Sequence, residues 1–436
     1  MVGNLSDRLR KNISSEQLDL IHRVAEESSK LGFPIYIVGG FVRDLLLGHP
    51  SLDFDLVVEG DAIKLADSLA SKYGGKATVH EKFGTAKWDV RKLGIGNREL
   101  VSNPRSRLST PDSLDLISAR SEIYKHPAAL PTVKMGNLDD DLRRRDFTIN
   151  ALAIRLDDDH FGELCDELGG LNDLQHGIVR VLHPHSFMDD PTRIYRAVRY
   201  EKRYGFNIAK ETLALIPEAR QLVEKLSAQR IRHELDLILD EPNAASMLEC
   251  LDKLGLLKPI HPSLRCDKAL QTRFESATDF PLGFSSSGLS NIRDLRWLLW
   301  LMALSNKEIA SLNKRLHFTA PLLKSLLASS KLLADLTAFS NLKPSQCVER
   351  LDKFPLQAIY AVLRAAPRGK SKRALEKYLM EWRHIKPRTT GNDLKRLGLE
   401  PGPKYQAILQ KLGNAWLDGE VKNVKQEKSL LVRILN

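Results

Sequence analysis

The chain has 436 residues, 42% of them hydrophobic and 28% charged, with a formal net charge of +11. That is an ordinary balance for a soluble globular protein, long enough for about two to four domains with cores of their own. No apolar run approaches the ~20 residues that span a bilayer. The polar N-terminus lacks a signal-peptide core, and Cys165, Cys250, Cys266 and Cys347 are too scattered for a zinc site or a disulfide framework. No membrane partner and a reducing, cytoplasmic setting are therefore expected.

In chain order, β-branched and apolar runs bounded by Gly, Pro or polar residues predict strands at 35–38, 54–58, 84–89 and 114–119. The stretch between Trp88 and Leu114, with Gly94, Gly96, Pro104 and Pro111, predicts an exposed loop, and 121–137, with Pro127, Pro131 and Gly136, a mobile one. From Asp189 onward the apolar spacing changes to a 3.6-residue period, which predicts an all-helical remainder. The apolar run 297–304 reads as a buried helix, 283–290 as a Gly/Ser-rich interruption, and 367–372 as a linker. Residues 361–436 carry 17 Lys+Arg against 7 Asp+Glu, or +10, so nearly the whole charge excess lies in this last segment. A basic domain on a near-neutral body predicts a polyanionic partner, nucleic acid ahead of a merely solvated surface.

Chemistry concentrates in three blocks. The first runs Ile35-Tyr36-Ile37-Val38-Gly39-Gly40-Phe41-Val42-Arg43-Asp44, then Asp53-Phe54-Asp55-Leu56-Val57-Val58. Strand side chains alternate, so Asp53 and Asp55 share a face. Two adjacent carboxylates repel unless a cation sits between them, and a hard divalent ion with oxygen ligands resolves that conflict. A Gly pair lets backbone amides approach phosphate oxygens. Together they point to a metal-bound nucleoside triphosphate. The second block is Arg143-Arg144-Arg145-Asp146-Phe147-Thr148-Ile149-Asn150-Ala151; three consecutive arginines cannot all face a core, and guanidiniums suit phosphate.

The third block is Asp189-Asp190-Pro191-Thr192-Arg193-Ile194-Tyr195-Arg196-Ala197-Val198-Arg199. Pro191 fits the first position of a helix capped by Asp190. Arg193, Arg196 and Arg199 recur every three residues, a like-charge row that an anion would relieve. Asp190 and Arg193 project together and can read a base: a carboxylate accepts an amino proton and an arginine donates to a ring nitrogen. Cytosine and adenine offer that pair. Guanine and uracil do not, and an unpaired buried charge rejects them.

The order strand, Gly-Gly, Arg-Asp, helix, Asp-x-Asp strand, followed by Arg-Arg-Asp-Phe-Thr-x-Asn-Ala and an acidic-acidic-x-x-Arg motif, resembles the class II nucleotidyltransferases. These are the polymerase-β-like superfamily members that include tRNA CCA-adding enzymes and bacterial poly(A) polymerases. Asp189 stands where many members have Glu. The likeness covers roughly residues 35–257 by motif. It extends loosely to Gly398-Leu399-Glu400-Pro401-Gly402-Pro403, which is similar to the family's tRNA-contacting segment, and Gly169-Gly170 resembles its hinge.

The resemblance implies an α+β chain. A nucleotidyltransferase head (1–157) precedes an all-α neck for base recognition (158–250), a helical body (251–367) and a basic tail that grips tRNA (368–436). It implies template-independent addition of C and/or A to tRNA 3′ ends from CTP and ATP. Asp53 and Asp55 would hold Mg²⁺, with Asp115 preferred to Asp89 as third carboxylate. Gly39, Gly40, Arg43 and Arg145 would hold the triphosphate, Asp146 and Asn150 the ribose region, and Asp190 and Arg193 the base; Arg196 and Arg199 would add phosphate or base contacts. The partners implied are the tRNA acceptor end and elbow. The rival readings are an A-adding or CC-adding form, a poly(A) polymerase, and a non-catalytic RNA-binding protein. His80-Glu81-Lys82-Phe83-Gly84-Thr85-Ala86 looks more like the tRNA enzymes than the poly(A) polymerases. Oligomeric state is not legible.

Overall fold

The computed structural model describes residues 3–49, 55–91, 113–124, 126–129, 131–277 and 291–435. They form two compact units, Met1–Leu226 and Ser227–Asn436. The boundary falls inside the segment 158–250.

Among the described residues, the first unit is built on a seven-stranded mixed sheet: β1 (Ile35–Val38), β2 (Asp55–Val58), β3 (Lys76–His80), β4 (Thr85–Asp89), β5 (Ser113–Ser118), β8 (Ala153–Arg155) and β9 (Leu164–Cys165), in the order β3-β4-β5-β2-β1-β8-β9. β2 and β5 run parallel, and the other pairs antiparallel. The register decides what meets at one end of the sheet. Val38 is opposite Asp55, Asp55 opposite Asp115, and Asp115 opposite Lys87. The turn at Gly39, both described acidic candidates and a lysine thus lie along one row.

The two faces are covered differently. Burial alternates along β5, with Leu114, Leu116 and Ser118 buried and Asp115 on the other side. The helix Ala62–Tyr73 is capped by Asp61, whose carboxylate accepts from the amides of Ile63 (2.9 Å) and Lys64 (3.2 Å), and its Ala62 amide donates to Ser118 Oγ at 3.0 Å. Its Leu65, Ala66 and Leu69 are buried on that side. On the carboxylate side, Tyr36, Val38, Val57, Ala151 and Ala153 form a cluster with Leu138 and Leu142. Leu138 and Leu142 are one helical turn apart, so the helix Leu138–Arg143 lies with its apolar stripe on this face. Arg144, Arg145 and Asp146 follow directly and arrive on the face that carries Asp55 and Asp115.

Several expectations are corrected. The segment 121–137 is not simply a loop. β6 (Arg120–Ile123) and β7 (Thr132–Met135) pair as an antiparallel hairpin, and Ala128 N–H donates to the Met188 carbonyl at 3.0 Å. The Pro-rich turn masked two strands too short to show alternation. Trp88 and Leu114 are buried strand residues, as expected; of the loop expected between them, residues 92–112 lie outside the described residues. Among the described residues, the helical remainder contains one short exception, β11 (Asn207–Ile208) parallel to β10 (Ile178–Val179). The helix Lys370–Met380 begins inside the expected linker, while 283–290 lies outside the described residues.

The second unit, among the described residues, is helical throughout. The expected buried helix is Ile292–Leu301, with Trp297, Leu298 and Leu299 fully inside. Near the C-terminus, Leu394, Ile408, Leu412 and Leu431 make a separate small core. No described helix is long and apolar enough to cross a membrane.

Gly169-Gly170 carries a packing constraint. Gly169 has φ +74 and starts the helix Gly170–Gln175, whose first amides donate to the Asp166 carboxylate at 2.7 and 2.9 Å. A Cβ on Gly170 would lie 2.2 Å from the Thr148 carbonyl oxygen, within the second block. Gly170→Ala is therefore expected to lower stability by about 1–3 kcal/mol, as a shift in the urea midpoint at unchanged m-value.

Candidate active site

The three blocks converge on one cavity of about 430 Å³ in the first unit. The first block contributes Gly40, Arg43 and Asp55; the second, Arg145, Asp146 and Asn150; the third, Asp190, Arg193 and Arg196. Gly39, Asp115 and Arg199 are close in the fold but are not part of the lining. Asp53 lies outside the described residues. Glu122 and Tyr124 of the hairpin segment, Arg144, Thr192 and Tyr200 also line the cavity and were not anticipated.

Gly39 is required twice over. Its φ of +73 is a left-handed conformation, and a Cβ there would lie 2.5 Å from Arg145 Nη1. The first and second blocks are thus packed guanidinium on glycine. Arg145 donates through Nη2 to Asp141 Oδ2 at 2.8 Å, and its Nε is buried with no hydrogen-bond partner.

Arg43 is 4% exposed. Its Nε donates to Asp44 Oδ1 (2.8 Å) and its Nη1 to Asn150 Oδ1 (2.5 Å), and its guanidinium sits 5.1 and 4.9 Å from the ring centres of Tyr200 and Tyr204. Tyr204 closes the arrangement by donating to Asp44 at 2.9 Å. Asn150 passes the order on, donating through Nδ2 to Asp146 Oδ1 at 2.9 Å. Asp146 also accepts from the Phe147 amide (2.9 Å) and from Arg196 Nε (2.7 Å). Part of the predicted like-charge strain on the third block is therefore relieved internally, by the aspartate that the resemblance assigns to ribose.

Asp190 is extended, and its Oδ1 accepts from the Thr192 amide (2.9 Å) and hydroxyl (2.6 Å), capping the helix Thr192–Tyr204 as its sequence predicts. Arg193 is 6% exposed and aimed by two acceptors, Ser186 Oγ at 2.6 Å and the Arg144 carbonyl at 2.8 Å.

Burial pushes the Asp146 carboxyl up, but the Arg196 and Asn150 side chains reverse this and hold it below its usual value. Burial likewise raises Asp141, and the Arg145 and Arg144 guanidiniums lower it further than burial raises it. For both groups the folded value is depressed. The stability they contribute is present above the ordinary carboxylate range and is lost as the pH falls through the depressed values.

At the sheet end, Asp55 is exposed and Asp115 half-exposed, in register on adjacent strands, with Lys87 Nζ 3.5 Å from Asp115. Asp89, the alternative third carboxylate, is instead paired with Arg91. Among the described residues there is no cluster of three or more His, Cys, Asp or Glu that could hold a metal.

A carboxylate at the end of a mixed sheet, Asp55, lining a guanidinium-rich cavity with Asp115 in register beside it, fits a nucleotidyltransferase class of site. Comparison with known proteins is consistent with that class. Residues 35–180 match the poly A polymerase head domain, and residues 205–267 the probable RNA and SrmB-binding site of polymerase A. The A-adding tRNA nucleotidyltransferase of Halalkalibacterium halodurans is 31% identical over 426 residues, 96% of this chain and 93% of that protein. The A-adding tRNA nucleotidyltransferase of Geobacter sulfurreducens is 32% identical over 446 residues, and there the chain spans only about half of the relative, 48% of its length. The structure of the Thermotoga maritima CCA-adding enzyme complexed with tRNA superposes with a TM-score of 0.80 at 26% identity, covering 100% of this chain and 99% of that one. The chain belongs to the class II tRNA nucleotidyltransferases.

Gly39→Ala tests the packing of the first two blocks. It forces Arg145 aside without removing a charged group and is expected to lower kcat/KM for nucleotide by about 10²-fold, measured by steady-state incorporation with the fold checked by circular dichroism.

Proposed function

We propose that this chain is a template-independent tRNA nucleotidyltransferase that adds C and/or A to tRNA 3′ ends from CTP and ATP, in the cytoplasm where these substrates occur. The observation that carries the reading is the convergence of the three blocks on one cavity. A more specific second reading, A addition alone, is favoured by the names of the relatives. The two that match 96% and 98% of this chain at 31% and 32% identity are both named A-adding, whereas Streptococcus gordonii and Streptococcus sanguinis proteins named CCA-adding match at 28% and 27%.

Each group has a distinct task. Asp53 and Asp55 would hold Mg²⁺, with Asp115, in register beside Asp55, as the third carboxylate. Asp55 and Asp115 are oxygen donors on one face, and the Lys87 ammonium near Asp115 indicates that this end of the sheet accepts positive charge. A divalent ion bound there supplies charge neutralisation for the triphosphate and acidifies the attacking 3′-hydroxyl. The protein's own part is positioning and fixed charge. Arg145 presents its unmet donor capacity to phosphate oxygens. Arg43, held against two tyrosine rings and bonded to Asp44 and Asn150, contributes a charge that needs no reorganisation. Asp190 accepts from the amino group of C or A, and Arg193 donates to the adjacent ring nitrogen. Asp146, held by Asn150 and Arg196, faces the ribose, where a hydroxyl contact selects ribonucleotides. The basic segment 368–436 takes the tRNA backbone.

The deciding assay offers tRNA that lacks the terminus, ends in C, or ends in CC, with labelled CTP, ATP or both. Completion of CCA from the bare end marks the full activity. Incorporation of A only on the CC-ending tRNA marks the A-adding form, and long A tails on unrelated RNA would overturn both. Asp55→Ala is expected to reduce kcat by at least about 100-fold in the productive combination; undiminished incorporation removes Asp55 from the metal site.

Base choice has its own test. Asp190→Ala is expected to reduce discrimination against GTP and UTP by about 10–100-fold, measured as the ratio of kcat/KM values, because the amino-group acceptor is lost. An unchanged ratio would take base reading away from Asp190.

A further inference from the structure

Arg145 reaches the cavity from the end of the helix Leu138–Arg143, but its backbone does not determine where the guanidinium points. Asp141 does. This carboxylate is fully buried and lies one helical turn before Arg145. Its Oδ2 accepts from Arg145 Nη2 at 2.8 Å, and its Oδ1 from Arg144 Nε and Nη2 at 2.9 and 2.6 Å. Arg145 is thus gripped at one nitrogen by Asp141 and packed at another against Gly39, while Nε is buried without a hydrogen-bond partner. A partly exposed guanidinium at a cavity wall, held on two sides, is set up to receive an anion on its remaining face. Arg144 has a second acid, Glu122, at 3.2 Å, so Asp141 is not needed merely to balance it.

We propose that Asp141 is a positioning residue for the triphosphate, holding Arg145 against Gly39 so that the guanidinium meets phosphate oxygens without rearranging. The proposal rests on the assignment of this cavity to a nucleoside triphosphate. Charge and position pull in opposite directions here. A carboxylate beside a phosphate site repels the ligand, so removing its charge should tighten binding if electrostatics alone acted. If position dominates, the same change weakens binding.

The test compares wild type with D141N, D141E and D173N. Asp173 is another buried carboxylate of the first unit, which accepts from Thr148 Oγ1 at 2.7 Å and Arg180 Nε at 3.0 Å. KM for ATP and kcat are measured on tRNA ending in CC, the Kd of a non-hydrolysable ATP analogue by calorimetry, and stability by urea. The D141N variant is expected to raise both KM and analogue Kd by about tenfold, with a smaller change in kcat. The D141E variant, which keeps the charge but displaces it by a methylene, is expected to shift both in the same direction by less. The D173N control is expected to lose stability with KM unchanged. A folded D141N with unchanged or tighter analogue binding overturns the proposal, and so does an equal rise of KM in D173N. Should D141N fail to fold, D141E decides by the same criterion. If wild type itself binds no analogue, the nucleotide reading of the cavity falls and this proposal falls with it; if wild type binds and only the variant result is contrary, the nucleotide reading stands.

Discussion

The site depends on collecting guanidiniums around one cavity before any anion is present to hold them. Like charges in a low-dielectric setting repel strongly, and a buried arginine without a partner is costly. The chain resolves this by giving each an acid or acceptor, in one case shared. Arg43 has Asp44, Arg144 has Asp141 and Glu122, Arg145 has Asp141, Arg196 has Asp146, and Arg193 is bonded to a hydroxyl and a carbonyl. These acids lie behind or beside the arginines, so neutralisation does not consume every donor. What is left over is a set of oriented N–H groups at modest net charge, which is the form of preorganisation that stabilises a transferring phosphoryl group.

The backbone makes this economy possible by bringing distant segments to one edge. The register that places Val38 opposite Asp55 and Asp55 opposite Asp115 puts the turn at Gly39 beside the carboxylates. The Leu138/Leu142 stripe, buried against Tyr36, Val38 and Val57, brings the second block to the same face. The third block joins through the Arg196–Asp146 pair and the Arg193–Arg144 carbonyl bond. The arrangement is therefore cross-braced: the blocks are joined by contacts that aim one another's residues.

This cross-bracing also explains what could be read from the residues alone. Features that follow from local rules were legible: the strand at Ile35–Val38, the Asp190 hydrogen bonds ahead of the helix Thr192–Tyr204, and the buried helix around Trp297. The functional blocks were legible because their residue types make poor sense as a surface or a core. Features set by tertiary partners were not. Asp141 sits in a run of three aspartates that reads as an acidic helix start, and its place beside Leu138 and Leu142 on the buried stripe shows only once the helix bounds are known. Glu122 and Tyr124 lay in a segment whose prolines suggested a loop, because a four-residue strand is too short to reveal its period. Asp146 looked committed to a ligand, whereas the fold first gives it Asn150 and Arg196.

Positive charge is used in a second and opposite way in the last segment. There the excess is not paired inward. Lys386, Arg388, Lys395, Arg396, Lys404 and Lys411 are exposed, and the one deeply buried acid, Glu427, is spent on structure, accepting from the Arg388 and Thr389 amides (2.9 and 2.6 Å) and from the Trp416 indole. With Leu394, Ile408, Leu412 and Leu431 this bond set gives the segment its own small core, so its outer face is available to cations that need no fixed geometry. Mobile, solvated lysines suit a polyanion whose backbone is contacted without regard to sequence, and they act through counterion release. Buried, acid-braced arginines suit a triphosphate whose reacting phosphorus must be placed to a fraction of an ångström. On the proposed function, the +10 of residues 361–436 and the near-neutral remainder of the chain would serve one requirement: grip where the ligand is long and variable, aim where it is small and reacts.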